Sequence, residues 1–428
     1  MKYLLTLILL IGSLMWAQNA MAAPQPYFYP FVNPYEATVM ELPKYLEAKL
    51  PEEVPAREFT LRVFPKREIP DVFWYEDGLV CTLAYQDHKA PLIFVIAGTG
   101  SSHNSPRMKK LQKTLYQGGF HVINLTSPTH MDFVVNASAG LSGDSLDDAR
   151  DLYRVMELAY EKVRGKIDVS DFALAGYSLG AFNAAFVAKL DEERKSFNFR
   201  KVLLINPPVS LYDSVSNLDR LLVENVPGGM EKIDLWFRNV LTQYSSVMRE
   251  TGNMEMSGDF LYNAYKRLPP SEENLAALIG LSFRMSSANM IFTADVMNGG
   301  SYIVPKNAQL SATTSLTRYA LVSYSTSLID YFNEYLIPYC QKRDPNLTSQ
   351  AILDRMSLRY IEAYLKSSGK VGLIHNEDDI ILMPGDIGYL QDVFGNRARI
   401  FPTGGHLGNM FHPDVVSLML DFLTRKEN

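Results

Sequence analysis

The chain has 428 residues, 47% of them hydrophobic and 21% charged, a balance that excludes a disordered chain and supplies a sizeable core. A formal net charge of −6 and the lack of any long Lys or Arg run exclude the electrostatic footprint of a nucleic-acid binder, so a small, neutral partner is expected. Two cysteines, Cys81 and Cys340, are too few for a disulfide scaffold, and their pairing is left open; without a CxxC or HExxH motif, neither a metal nor another cofactor is expected.

The N-terminus reads as an export signal over 1–22: Lys2, an apolar run from Leu4 to Trp16, then the small-residue pattern Ala20-Met21-Ala22. The apolar run is short for a bilayer span, so the expected location is periplasmic or secreted, with no stable membrane span after cleavage. Residues 23–57, rich in Pro and Tyr and with a short helical stretch at 42–50, read as an arm on the surface of the main domain.

Strand patterns follow at 58–64, 78–85 and 91–97, the last ending in Gly98-Thr99-Gly100, then a helix at 108–117 and a strand at 120–125. Ser145-Leu146-Asp147-Asp148 resembles a capping box opening the helix Ser145–Val163. A strand at 171–175, a helix to 190 and the strand Lys201–Ile205 continue the alternation. Strands that alternate with helices, with fully apolar runs such as Leu92-Ile93-Phe94-Val95-Ile96, predict a mainly parallel sheet covered on both faces. From 210 to 369 the pattern is helical; strands resume at 370–375 and Ala398–Phe401, and the helix Pro413–Thr424 closes the chain. The expected organisation is therefore a core of 58–209 and 370–428, interrupted by a helical insertion at 210–369.

Between the strand at 171–175 and the following helix lies Gly176-Tyr177-Ser178-Leu179-Gly180. Glycines two residues before and after a serine permit a sharp turn that holds the serine in strained backbone geometry, and Ala181, Ala184, Ala185 and Ala188 let the helix behind it lie close to the sheet. This is the pattern of a nucleophile elbow.

With the turn Ala97-Gly98-Thr99-Gly100 and two downstream motifs, the chain resembles the α/β-hydrolase family over 58–208 and 370–426, the insertion resembling the helical cap of many members. The resemblance implies a Ser-Asp-His triad in which Ser178 is the nucleophile. For the acid it points to His375-Asn376-Glu377-Asp378-Asp379-Ile380-Ile381, with Asp379 first, Asp378 second and Asp213 third. For the base it points to His406 in Gly404-Gly405-His406-Leu407-Gly408, while His412, before Pro413, reads as a helix cap. The oxyanion donors implied are the backbone N–H of Leu179 and that of Thr99 or Gly100. The expected activity is hydrolysis of a carboxylic ester or thioester with an apolar acyl group. A peptidase or amidase of the same fold and a non-catalytic binder of a hydrophobic ligand stand as alternatives.

Overall fold

A computed structural model describes residues 27–40, 42–233 and 270–425, together with 235, 236, 239, 242 and 266. The expected leader, 1–22, and much of 234–269 in the predicted insertion lie outside these residues. Residues 27–30, the described part of a first unit, form no helix or strand, and the rings of Tyr27 and Tyr29 stack with centroids 6.4 Å apart. The second unit begins at Phe31 and holds the sheet.

Eight strands form one sheet in the order β1 (Ala56–Leu61), β2 (Leu79–Ala84), β4 (His121–Leu125), β3 (Ala90–Ile96), β5 (Val169–Tyr177), β6 (Lys201–Ile205), β7 (Val371–Asn376) and β8 (Ala398–Phe401). β2 runs antiparallel to both its neighbours, and every pair from β4 onward is parallel. Parallel neighbours require crossovers, and helices supply them. β5 is longer than its apolar run suggested because Val169 pairs with Ala90 at one end and Tyr177 with Ile205 at the other.

In chain order the helices are α1 (Pro34–Val39), α2 (Pro106–Gln117), α3 (Met131–Asn136), α4 (Ser145–Val163) and α5 (Leu179–Arg194) in the first part of the core. Between β6 and β7 come α6 (Leu211–Asn225), α7 (Glu272–Asn298), α8 (Thr317–Ser325), α9 (328–343, with a π-helical stretch at Tyr331–Leu336), α10 (Ser349–Asp354) and α11 (Glu362–Ser367). α12 (Asp386–Phe394) links β7 to β8, and α13 (Pro413–Thr424) follows β8.

Three local readings change. The helix expected at 42–50 is replaced by α1 and a single 3-10 turn, Lys44–Leu46, because Asn33 caps α1 by accepting the N–H groups of Tyr35 and Glu36, and Pro34 fills its first turn. The arm is also more than a surface strap, since Phe31, Ala37, Met40 and Leu42 are buried. α4 is capped by Asp144, whose carboxylate accepts from Leu146 and Asp147, so Ser145 is already helical. Cys81 and Cys340 are both free and buried, and the Cys340 thiol donates to Asp144 Oδ2 at 3.4 Å.

The two ends of the segment between β6 and β7 are stapled together: Leu211 N–H donates to Met356 O and Leu358 N–H to Val209 O, at 2.9 and 2.8 Å. Within it α6 and α7 cross closely, because Gly280 leaves room where a Cβ would lie 2.5 Å from Leu222 N. A buried ion pair, Arg284 Nη2 to Asp219 Oδ1 at 2.7 Å, ties the same two helices. α7 is long and apolar enough to cross a membrane, and half of its apolar window is buried within the protein. Where α7 passes over the turn after β3, a Cβ on Gly100 would lie 2.8 Å from Ser286 Cβ.

Candidate active site

Ser178 occupies the single residue between β5 and α5, with φ 53° and ψ −127°, a left-handed conformation that costs a non-glycine residue of order 1–3 kcal/mol. The flanking glycines explain how it is held. A Cβ on Gly176 would lie 2.2 Å from Gly180 O, and one on Gly180 would lie 2.1 Å from Ile96 O, so β5, α5 and β3 come together only without those side chains. Ala181, Ala184, Ala185 and Ala188 are fully buried beneath α5. Tyr177 turns back toward β3, where its ring covers Gly98 and its hydroxyl donates to Ser101 Oγ at 2.9 Å.

Registers place the carboxyl ends of β5, β6, β7 and β8 side by side, and the loops after them converge on Ser178. His406 Nε2 lies 2.9 Å from Ser178 Oγ, and His406 Nδ1 lies 2.9 and 3.1 Å from the two carboxylate oxygens of Asp379. A carboxylate only accepts, so Nδ1 carries a proton, and Nε2 is the ring atom left to face the serine O–H. Asp379 also accepts from Asn206 Nδ2 at 2.8 Å and from the Ile381 N–H at 3.1 Å. Burial alone would push the Asp379 carboxyl up. The neighbouring His406, its hydrogen bond, His375 and Asn206 outweigh burial and hold it below the ordinary carboxylate range.

The adjacent Asp378 faces the other way. Its two oxygens accept the N–H groups of Gly405 and Gly404 at 2.9 and 3.1 Å, which fixes the loop that carries His406. Asp213 sits exposed in the first turn of α6, where its N–H donates to Ser210 Oγ, and makes no contact with His406. His412 caps α13 by accepting the Asp414 N–H.

Of the oxyanion candidates, Leu179 is the first residue of α5, so its N–H has no intrahelical acceptor. Gly100 commits its N–H to Thr129 Oγ1 at 2.9 Å, whereas the Thr99 N–H donates to no acceptor among the described residues.

Several residues at the site carry no sequence signature. Asn206, in left-handed geometry (φ 47°) just after β6, holds the acid. Thr38 of α1 accepts the His406 N–H at 2.9 Å, so the N-terminal arm is part of the site. Asn376 donates to Gly405 O and pairs with Asn409 beneath the same loop. Buried His375 is held below the usual imidazole range by desolvation; it donates from Nε2 to Pro207 O at 3.0 Å and joins the ends of β6 and β7. An Asn directly between an apolar strand and Pro207-Pro208 is the only local signal that could have pointed to Asn206.

Ser178, His406, Leu179, Thr99 and Gly100 open into a cavity of about 770 Å³. An apolar wall comes from the helices between β6 and β7, with Leu218 of α6, Leu278, Phe283 and Met290 of α7, and Leu328 and Phe332 of α9. Among the described residues no group of three His, Cys, Asp or Glu side chains is gathered as a metal site would need.

The strand order, the strained serine after β5, the acid after β7 and the histidine after β8 together decide the architecture. The chain has the α/β-hydrolase fold. No protein-family model and no curated protein matches it. Solved structures similar to this α/β-hydrolase-fold chain include a thioesterase domain from the curacin biosynthetic pathway, 14% identical, with 81% of this chain and 95% of that one covered and a TM-score of 0.35. Another is a fungal esterase from Rhizomucor miehei, 14% identical, covering 88% and 84%, with a TM-score of 0.41. A third is a proline iminopeptidase-related protein from Thermus thermophilus, 15% identical, covering 86% and 97%, with a TM-score of 0.40.

Proposed function

We propose that this α/β-hydrolase-fold protein is an exported serine hydrolase that cleaves a carboxylic ester or thioester through an acyl-enzyme on Ser178. The reading is carried by one observation: a strained serine whose hydroxyl reaches an imidazole, itself aligned by a buried carboxylate, in a largely apolar cavity. A serine hydroxyl is a poor nucleophile near neutral pH, and backbone strain of this kind clusters at reactive sites.

In this scheme His406 Nε2 takes the Ser178 proton as Oγ attacks the carbonyl carbon, and Asp379 stabilises the imidazolium that forms. The N–H groups of Leu179 and Thr99 receive the oxyanion. Collapse of the tetrahedral intermediate breaks the bond to the alcohol or thiol, which leaves with the proton from Nε2. A water then repeats the sequence: it gives its proton to His406, attacks the acyl carbon, and releases the acid as Ser178 recovers its proton. The inserted helices shield the acyl-enzyme and limit the acyl group admitted. No Asp or Glu lies on the described cavity wall to receive a free amino terminus, which favours esters and thioesters over peptides. Residues 1–22 support export.

Labelling with a fluorophosphonate probe, followed by p-nitrophenyl esters of graded chain length, tests the reading. Wild type should label and turn over, and Ser178→Ala should do neither. Turnover that survives in Ser178→Ala, or wild type that neither labels nor hydrolyses any ester, would sink it.

A further inference from the structure

Arg107 is the one Lys, Arg, Asp or Glu side chain on the described wall of the Ser178 cavity. It stands in the first turn of α2, next to Ser105 and Pro106 on the same wall, and its guanidinium carbon lies 5.9 Å from the ring centroid of Tyr177, the residue before Ser178. No carboxylate pairs with it among the described residues.

The surroundings favour negative charge at this end of the cavity. The N-terminus of α2, 12 residues long, directs the positive end of its dipole to the same place, and the hydroxyls of Ser101, Ser102 and Ser105 flank it. His130 shares the wall, but burial holds its imidazole below the usual range, so near pH 7 the positive charge belongs to Arg107. Leu278, Phe283, Met290 and Phe332 give the same cavity an apolar surface. A substrate at Ser178 would therefore meet both a cation on α2 and a hydrocarbon surface on α7 and α9 within one cavity. A half-buried guanidinium with no carboxylate partner among the described residues is available to an anion, and its planar donors match a carboxylate or phosphate.

Resting on the serine-hydrolase reading, we propose that the substrate is an amphiphilic ester or thioester whose apolar part lies against α7 and α9 and whose anionic group, carboxylate or phosphate, is held by Arg107. Arg107 is thus a specificity-determining residue, and the expected partner changes from neutral to anionic.

The test uses the full chain and two matched sets of esters. In the first set p-nitrophenyl pentanoate is compared with the p-nitrophenyl half-ester of glutaric acid, which places a carboxylate on the acyl side. In the second, butyrate esters of 4-hydroxybenzamide, 4-hydroxybenzoate and 4-hydroxyphenyl phosphate place no charge, a carboxylate or a phosphate on the leaving group. The quantity read is the ratio of kcat/KM for the anionic ester to that for its neutral partner, which cancels any general loss of activity. In wild type the ratio should exceed one in at least one arm, and the arm identifies the anion and its side. Arg107→Ala should lower that ratio roughly 10- to 100-fold, mainly through KM, as expected for loss of a charge-assisted bidentate contact. Arg107→Glu should lower it further, and 0.5 M NaCl should narrow the gap. Wild-type ratios below one in every arm, or a ratio that Arg107→Ala leaves unchanged, overturn the proposal. Fluorophosphonate labelling of each protein separates the cases: an unlabelled wild type defeats the hydrolase reading itself, and a variant that fails to label is replaced by Arg107→Gln.

Discussion

Asn206 donates from its side-chain amide to Asp379 Oδ2 across 2.8 Å, so the carboxylate that aligns His406 is itself held from the end of the neighbouring strand. The oxygen that Asn206 binds is the one closer to the imidazole. Asn206→Ala is expected to lower kcat roughly tenfold with little change in KM, as for other partners that orient a reacting group. Steady-state kinetics on a p-nitrophenyl ester separates the two parameters, and a change confined to KM would place Asn206 in substrate binding instead.

The two adjacent acids should separate sharply. Asp379→Asn removes the acceptor that fixes the imidazole tautomer, and kcat should fall roughly 10³- to 10⁴-fold. Asp378→Asn keeps one acceptor oxygen for the Gly404 and Gly405 N–H groups and should cost far less. Equal losses in the two variants would contradict this division of roles.

Gly176→Ala and Gly180→Ala each drive a methyl group into backbone carbonyl oxygens at 2.2 and 2.1 Å, atoms that do not yield as a flexible side chain would. Both variants should lose soluble protein or fluorophosphonate labelling. Gly165→Ala, at a position with nothing within 4 Å, serves as the control and should stay within about 0.5 kcal/mol of wild type.

Arg284→Met leaves Asp219 charged and buried between α6 and α7, and breaking such a pair costs about 3–5 kcal/mol. The urea midpoint of the inserted helices, followed by circular dichroism, should fall accordingly. The double variant Arg284→Met with Asp219→Leu should recover most of the loss, because no orphan charge remains.

Stability should also depend on pH through Asp132. Burial first, and Glu76 second, push its carboxyl up to about 7, while Asn136 Nδ2 donates to both acids at 2.9 and 2.7 Å. In the unfolded chain it titrates near pH ~4. Between these values the folded protein holds a proton that the unfolded chain has lost, so this contribution is full below about pH 4 and is lost as pH rises through about 7. The urea midpoint should therefore drop from pH 5 to pH 8, and Asp132→Asn should flatten that drop. Asp151, pushed up to about 6 chiefly by burial, acts in the same direction and leaves part of the slope in the variant. An equal drop in variant and wild type would remove Asp132 from the account.

The sequence by itself determined the features whose causes are local. Apolar runs set the strands, and the spacing of Gly176 and Gly180 around Ser178 set the strained turn, because the collisions that demand glycine involve the chain within a few residues and the strand beside it. The glycines before His406 marked its loop because both adopt positive φ there, a local backbone demand. Tertiary structure alone decided the rest. Asn206 and Asp379 are 173 residues apart, and Thr38 and His406 are 368 apart, so no periodicity records that they meet. Asp378 and Asp379 are neighbours of one type, and what divides them is the direction each side chain takes from the end of β7. Thr99 and Gly100 differ because Thr129, from another loop, takes one of their two N–H groups. Arg107 reads in sequence as a helical surface residue, and it becomes a cation of the Ser178 cavity only because the start of α2 lines the same space as Ser178 and α7. Hydrogen bonds and charges act over a few ångströms of space, and the chain must be folded before those distances exist.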